Sequence, residues 1–209
     1  QSQLWLNLIN QELDYAEGWN NYYKAERAKL QLDQPDLWAN NKEDFYEKLS
    51  PILKKAQKHI GSKFEYYYIK GLNSSGEMAI NALKKAYSID PERSEVYGWL
   101  FVHYIPRFDE KECTDLAKRI LSNNIYSDAN LKWNYNALQS IDKNGIVISN
   151  GDMDGSPKWV LQYGARVRQD VLITNKWLLA TNQKYLERIY KDIGISPPKR
   201  NESDFENTA

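Results

Sequence analysis

Apolar residues recur at intervals of three and four from Leu4 to about Ile141, glycine and proline fall at the joints between such stretches, and no alternating run is sustained. That spacing puts the apolar positions on one face of each of a series of helices. Leu13, Tyr15, Ala16, Trp19, Tyr22, Tyr23, Ala25, Ala28 and Leu30 trace one face, closed by Gln34-Pro35. A second stripe, Phe45, Leu49, Ile52, Leu53, Ala56 and Ile60, ends at Gly61, a residue suited to the position just past a helix. Pro51 inside that stripe leaves two readings. Either Ser50 caps a fresh helix with Pro51 at its first position, or one helix kinks there.

The following stretch repeats. Phe64 to Ile69 precede a turn at Ser74-Ser75-Gly76, then Ala79, Ile80, Ala82, Leu83, Ala86 and Tyr87, then Asp90-Pro91, and 33 residues after Phe64 comes Tyr97 at the matching place. A helix around Leu116, Ala117, Ile120 and Leu121 follows, and Ala129 to Leu138 predicts another that covers the end of the stack. Small residues where two helices cross, and Asp-Pro after the second, resemble the tetratricopeptide repeat, whose period is about 34 residues. Two units are recognisable, 63–93 and 94–127, with 12–61 a degenerate third. The second unit carries Pro106 and has no clear small residue at its crossing, so another stack of α-hairpins competes with this reading.

After Ile141 the period changes. Gly145-Ile146-Val147-Ile148-Ser149 is a short β-branched run bounded by turn residues, and Asp170 to Thr174 is a second one. Between them Ser156-Pro157 reads as the start of a helix, with serine as its cap and proline in its first position, running through Trp159 and Tyr163 to about Gly164. A last helix begins near Thr181 or Asn182 and stops at Gly194. The expected architecture is therefore mainly α: a helical-hairpin, tetratricopeptide-like stack over 1–140, a small βαβα module over 141–195 packed on it, and a polar tail or linker at 196–209. The two strands should run parallel, and both faces of such a pair require cover.

Composition narrows the function more than it names one. Lysine plus arginine and aspartate plus glutamate each number 28, so the chain lacks the basic excess that replaces counterions around nucleic-acid phosphates. A single cysteine excludes an internal disulfide framework and a multi-cysteine metal site. The apolar run Trp99 to Val102 is far shorter than the roughly 18 residues of a membrane span. The start at Gln1 suits a removed export signal or a trimmed chain.

The sharpest candidate for chemistry is Asn150-Gly151-Asp152-Met153-Asp154-Gly155-Ser156-Pro157 at the C-terminal end of a strand, where open α/β sheets place ligands. Asp152 and Asp154, spaced by one residue, could hold a divalent cation, and the helix start at Ser156 could receive an anion. The competing reading is that both carboxylates cap the helix. The string does not satisfy calcium-loop spacing, and no resident cofactor is called for. Arg166 and Arg168 flank the crossover and could meet these aspartates or an anion. His59, His103 and Cys113 read as packing or surface residues, and there is no phosphate-binding glycine loop or nucleophile elbow. Tyr66, Tyr67, Trp99 and Tyr104 are aromatic candidates for partner binding if they phase outward.

The run from Gly145 to Leu179, with Tyr185 to Ile189, resembles a segment of large membrane proteins of Bacteroidota-type bacteria that are similar to protein O-mannosyltransferases. Gly151, Asp152, Asp154, Pro157, Trp159, Gln162, Arg168, Asp170, Val171, Asn175, Leu178 and Leu179 match the pattern of that segment, while Met153, Gly155 and Gln169 depart from it. The resemblance covers about a quarter of the chain. It implies a shared α/β module and a bacterial cell-envelope, periplasmic setting rather than a transferred reaction, because the membrane region that carries glycosyl transfer is not in this sequence. The reading favoured is a non-catalytic scaffold subunit of an envelope assembly, built on helical repeats and binding protein partners, membrane-embedded or exported, without nucleic acid or a membrane span of its own. The alternative is an enzyme-like or ligand-binding domain for a sugar or phosphate, using Asn150, Asp152, Asp154, Ser156 and Arg168.

Overall fold

A computed structural model describes residues 1–198 as mainly helical with one small parallel sheet. The chain divides into two compact units, 1–96 and 97 onward. The predicted tail at 196–209 lies outside the described residues from 199.

The first unit holds α1 (Ser2–Gln11), α2 (Ala16–Asp33), α3 (Pro35–Asn40), α4 (Lys42–Ile60), α5 (Phe64–Leu72) and α6 (Gly76–Ile89), followed by a 3₁₀ turn at Ser94–Val96. The stripes predicted from spacing form its core: Trp19 and Tyr23 of α2, Phe45, Leu49, Ala56 and Ile60 of α4, and Phe64, Tyr66, Tyr68 and Ile69 of α5 are buried. Helix α4 runs uninterrupted through Pro51, and the Ser50 hydroxyl donates to the Tyr46 carbonyl over 3.0 Å instead of capping a new helix. Asn41 caps α4, accepting from the Asp44 amide at 3.1 Å. The buried Tyr23 hydroxyl donates to Asn73 Oδ1 (3.1 Å), and Asn73 Nδ2 donates to the Tyr46 carbonyl (3.1 Å), so one amide satisfies polar groups of α2 and α4 where α5 ends.

Helices α5 and α6 meet through a short loop and pack closely. A Cβ added at Gly71 would lie 2.7 Å from Leu83 Cγ and Cδ2, so the crossing depends on a residue without a side chain. Ala82 and Ala86 continue the buried contact of α6. Arg93 ties this region together, reaching Glu65 at 2.9 Å, Glu95 at 2.5 Å and Glu17 at 3.4 Å, with its guanidinium 4.4 Å from the Phe64 ring centre.

The second unit begins with α7 (Tyr97–Tyr104), a 3₁₀ turn at Ile105–Arg107, α8 (Glu110–Ser122) and α9 (Asp128–Gln139). Strand β1 (Ile146–Ser149), helix α10 (Asp152–Ala165), strand β2 (Leu172–Asn175), α11 (Lys176–Thr181) and α12 (Gln183–Asp192) follow. The strands pair in parallel, with Ile146 opposite Leu172 and Ser149 opposite Asn175. Helix α10 is the centre of this unit, packing on α8, α9 and both strands. Its crossing with α8 is again made by a glycine: a Cβ at Gly164 would fall 2.7 Å from Leu121 Cδ1 and 3.1 Å from the Ala117 carbonyl.

Two local expectations are corrected. Helix α10 starts at Asp152, four residues before Ser156, so Ser156 and Pro157 sit inside it and are buried. The extra turn forms because Asp154 can accept the Asn150 amide at 2.9 Å, which closes the helix start around Gly151. The stretch before the last helix is itself helical: Asn175 accepts the amides of Trp177 and Leu178 and begins α11, and Asn182 caps α12. Helix α9 packs on α10.

Candidate functional site

The residues singled out after β1 form the first turn of α10 rather than an open loop. Asp152 is exposed in that turn. Asp154 is committed: its Oδ2 accepts the Asn150 amide, and its Oδ1 lies 2.6 Å from Lys158 Nζ, which also donates to the Asp154 carbonyl at 2.8 Å. The Lys158 hydrogen bond holds the Asp154 carboxyl below its ordinary value, helped by the Asn150 amide against a smaller burial effect. Lys158 is almost fully buried, and the Trp133 ring lies 5.0 Å from its Nζ. An acid at i and a lysine at i+4 on one helix therefore neutralise each other beneath an indole.

Ser156 is buried, with the Tyr126 phenol beside its hydroxyl. That phenol has its pKa raised, chiefly by burial. Among the described residues no group of three or more histidine, cysteine, aspartate or glutamate side chains is placed to hold a metal ion. No helix among them is long and apolar enough to cross a membrane.

Arg168 lies in the turn leaving α10, where both Arg166 (φ 56°) and Arg168 (φ 45°) adopt left-handed backbone conformations. Its guanidinium faces the end of α9. One terminal nitrogen donates to the carbonyls of Leu138 (2.8 Å) and Ile141 (2.9 Å), the other to that of Asp142 (3.1 Å), and two bonds of 2.9 Å reach Asp170. Asp170 in turn accepts the Asn144 amide at 3.1 Å, and the Arg168 pairing holds its carboxyl well below the usual carboxylate range. The arginine thus closes the α9–β1 connection onto the α10–β2 connection. It is not brought together with Asp152 or Asp154.

The remaining pattern residues have equally concrete work. Trp159 Nε1 donates to the Ile173 carbonyl (3.3 Å), and Gln162 Nε2 donates to those of Val171 (2.6 Å) and Arg168 (2.7 Å). Gly155 passes so close to β1 that an added Cβ would lie 2.7 Å from Ser149 Oγ. A polar cavity of about 280 Å³, lined by Glu110, Thr114, Gln162, Tyr163, Arg166 and Gln169, opens between α8 and the end of α10. Burial pushes the Tyr163 phenol up to about 12, with added negative potential from Cys113 and Glu110.

The aromatic candidates separate by exposure. Tyr66 belongs to the core, with Tyr67 half-buried against it at a ring separation of 5.3 Å. Tyr104 is half-buried, and Trp99 is 54% exposed. Three further aromatics that were not among the sequence candidates are exposed, Trp133 (61%), Tyr135 and Trp177, the last of which precedes the helix predicted to begin near Thr181. Sequence reasoning also missed Lys158, whose signal was present as the acid–lysine spacing of four.

Residues 131–200 match a protein family described as TMEM260-associated domain 2. The match covers the predicted α/β segment and α9 from Leu131 onward, and is consistent with a TMEM260-like, O-mannosyltransferase-related family for this part of the chain. No curated protein matches the chain.

Proposed function

We propose that this chain is a protein-binding module of a bacterial cell-envelope assembly, without a reaction of its own. The observation that supports it best is the set of large aromatic side chains that the second unit leaves in solvent, Trp99 on α7, Trp133 and Tyr135 on α9, and Trp177 on α11. Such side chains, rigid and amphipathic, dominate the energetics of protein interfaces. The hairpins α5/α6 and α7/α8 read as tetratricopeptide-like elements, a scaffold class that mostly presents surfaces to other proteins. The family match over 131–200 and the resemblance of the same segment to envelope glycosyltransferase-like proteins support the setting.

The test is a mild-detergent pull-down of the tagged protein from its own cells, read by mass spectrometry, for wild type and Trp99→Ala. A stoichiometric membrane-embedded or exported partner that Trp99→Ala loses, with an unchanged melting temperature, supports the reading. Recovery of the untagged gene product in the cytosolic fraction, or a chain that emerges alone, overturns it.

The ligand-binding alternative keeps one supporting observation, the buried hydroxyl of Ser156 beside the Tyr126 phenol. Thermal melts with and without Mg²⁺, Mn²⁺, Ca²⁺ or inorganic phosphate test it, since a ligand specific for the folded state raises the midpoint by mass action. No shift with any of them removes that alternative.

A further inference from the structure

The two strands of the sheet present unequal outer edges. In a parallel pair, alternate residues of a strand turn their N–H and C=O toward the partner, and the residues between turn them away. The Leu172 amide donates to the Gly145 carbonyl over 2.9 Å, and Ile146 stands opposite Leu172. The phase is then fixed: Val147 and Ser149 face β2, while Ile146 and Ile148 direct both backbone groups to the open side. On the far side of β2 the outward carbonyls of Val171 and Ile173 are taken by Gln162 and Trp159 of α10. Among the described residues one edge is sealed and the other is open.

The faces differ in the same sense. Gly155 lies against Ser149, so α10 covers the face that carries Val147, Ser149, Ile173 and Asn175. On the opposite face Tyr185 of α12 covers Thr174, with the two hydroxyls 3.2 Å apart, but among the described residues nothing comparable lies over β1. Ile146 and Ile148 remain 48% and 62% exposed. An apolar edge in solvent invites pairing with another strand, and two strands alone make a marginal sheet.

We propose that β1 pairs with β1 of a second copy of this chain, antiparallel about a two-fold axis at Val147, to give a continuous sheet in the order β2, β1, β1, β2. The edge is self-complementary. Its outward groups sit at 146 and 148, one residue either side of the axis, so Ile146 stands opposite the second copy's Ile148 and each such pair exchanges two hydrogen bonds. Cross-strand pairs share a face, so the four isoleucines become one contiguous apolar cluster. The strand Ile146-Val147-Ile148-Ser149 carries no charge, so two copies meet without like charges opposed. An antiparallel strand added to the edge of a parallel pair is a common form of mixed sheet. The strand is short and the area small, which places the dimer in the weak, concentration-dependent class.

Sedimentation velocity of the full chain across the micromolar range and into the millimolar tests this, and the mass should move from one chain toward two. Ile148 is a surface residue of the single chain, so Ile148→Lys should fold unchanged and raise the dissociation constant roughly tenfold or more, because it removes both isoleucine pairs. On the axis, the two copies of residue 147 form a non-hydrogen-bonded pair with Cα atoms about 4.5 Å apart, within disulfide reach. Val147→Cys under mild oxidant should therefore give a dimer that reductant separates, and Ile148→Lys in the same chain should suppress it. The native Cys113 is buried and does not compete. A chain that sediments alone throughout, with no linked dimer from Val147→Cys, overturns the proposal and leaves the open edge to an extended segment of a different protein. A dimer indifferent to Ile148→Lys overturns it equally, because its interface then lies elsewhere.

Discussion

The two units meet the same packing demands with the same two devices and different partners. Each brings two helices together through a glycine, Gly71 against Leu83 in the first and Gly164 against Ala117 and Leu121 in the second. Each uses one arginine to join segments distant in sequence. Arg93 gathers three carboxylates, whereas Arg168 gathers three backbone carbonyls and a single aspartate. The difference shows that an arginine's neighbours in sequence say little about its task. Arg93 is an ion-pair centre whose value depends on salt, and Arg168 supplies donors to carbonyls at the end of α9 and in the turn that follows it.

The largest effects should come from the glycines, and they should be unequal. An alanine at Gly71 must displace Leu83 at its branch point, 2.7 Å away, and that side chain is buried and cannot turn aside. Gly71→Ala should cost about 1–3 kcal/mol, even after the gain in helix propensity. Gly164→Ala meets the terminal methyl of half-buried Leu121, which can rotate, and Ala117 backbone at 3.1 Å. It should cost less, about 1 kcal/mol or under. Denaturant unfolding followed by hydrogen exchange of amides in each unit measures both, and the reverse order would show that the α8–α10 crossing is the more rigid.

Next in size are the arginines. Arg93→Ala should destabilise the first unit by about 1–2 kcal/mol, a sum of partly exposed pairs, and the loss should shrink in molar salt. Arg168→Ala should instead free the amides at the end of α9 to exchange, with little dependence on salt, and Arg168→Lys should not restore protection. One ammonium cannot span carbonyls that the planar fork reaches with separate nitrogens. An Arg168→Ala loss that vanishes in salt would reduce its role to the Asp170 pair.

The legible parts of this molecule were those governed by period. Apolar spacing located the core faces of α2, α4, α5 and α6, and β-branched runs located both strands and implied their parallel pairing. The start of α10 was misread because Ser156-Pro157 is a stronger local signal than Gly151, and the decisive bond, Asp154 to the Asn150 amide, exists only once the helix has extended. The candidate site was legible as a place but not as an arrangement. Asp152 and Asp154 share a spacing, yet one faces solvent and the other pairs with a lysine four residues on, and only helical phase separates them. Arg168 could not be placed at all, since its partners Leu138, Ile141 and Asp142 offer backbone oxygens, which leave no trace in residue type.

A smaller effect tests packing within the second unit. Cys113 of α8 is fully buried, and burial, reinforced by Asp109, Glu112 and Glu110, pushes its thiol up to about 12. Only the thiolate reacts, so alkylation by iodoacetamide at neutral pH should be slow in the native chain and rapid in denaturant. Gly164→Ala should speed it by loosening the α8–α10 crossing, while Gly71→Ala, in the other unit, should leave it unchanged. Equal acceleration by both would mean that the units do not open independently.

The smallest expected difference is in acid. Both units hold carboxylates below their ordinary values. At Glu95 burial is the largest effect and acts to raise the pKa, but the Arg93 hydrogen bond and charge, a backbone hydrogen bond and the Lys24 charge together outweigh it; at Asp154 the Lys158 hydrogen bond dominates. A carboxyl whose pKa is lower folded than unfolded contributes stability that is complete above its unfolded value and is lost as pH falls through the folded one. The window therefore opens near 4.5 for Glu95 and near 3.8 for Asp154 and extends downward. Over that range the unfolded chain binds more protons, so stability must fall with pH. Salt separates the units: Glu95 answers to a guanidinium that is partly exposed, whereas Lys158 is enclosed beneath Trp133, where ions screen poorly. Added salt should flatten the acid dependence of hydrogen exchange in the first unit more than at the start of α10. Asp154→Asn should abolish the dependence at α10 and leave that of Glu95 intact, and an unchanged slope at α10 in that variant would remove the Asp154–Lys158 pair from the account of how this helix is held.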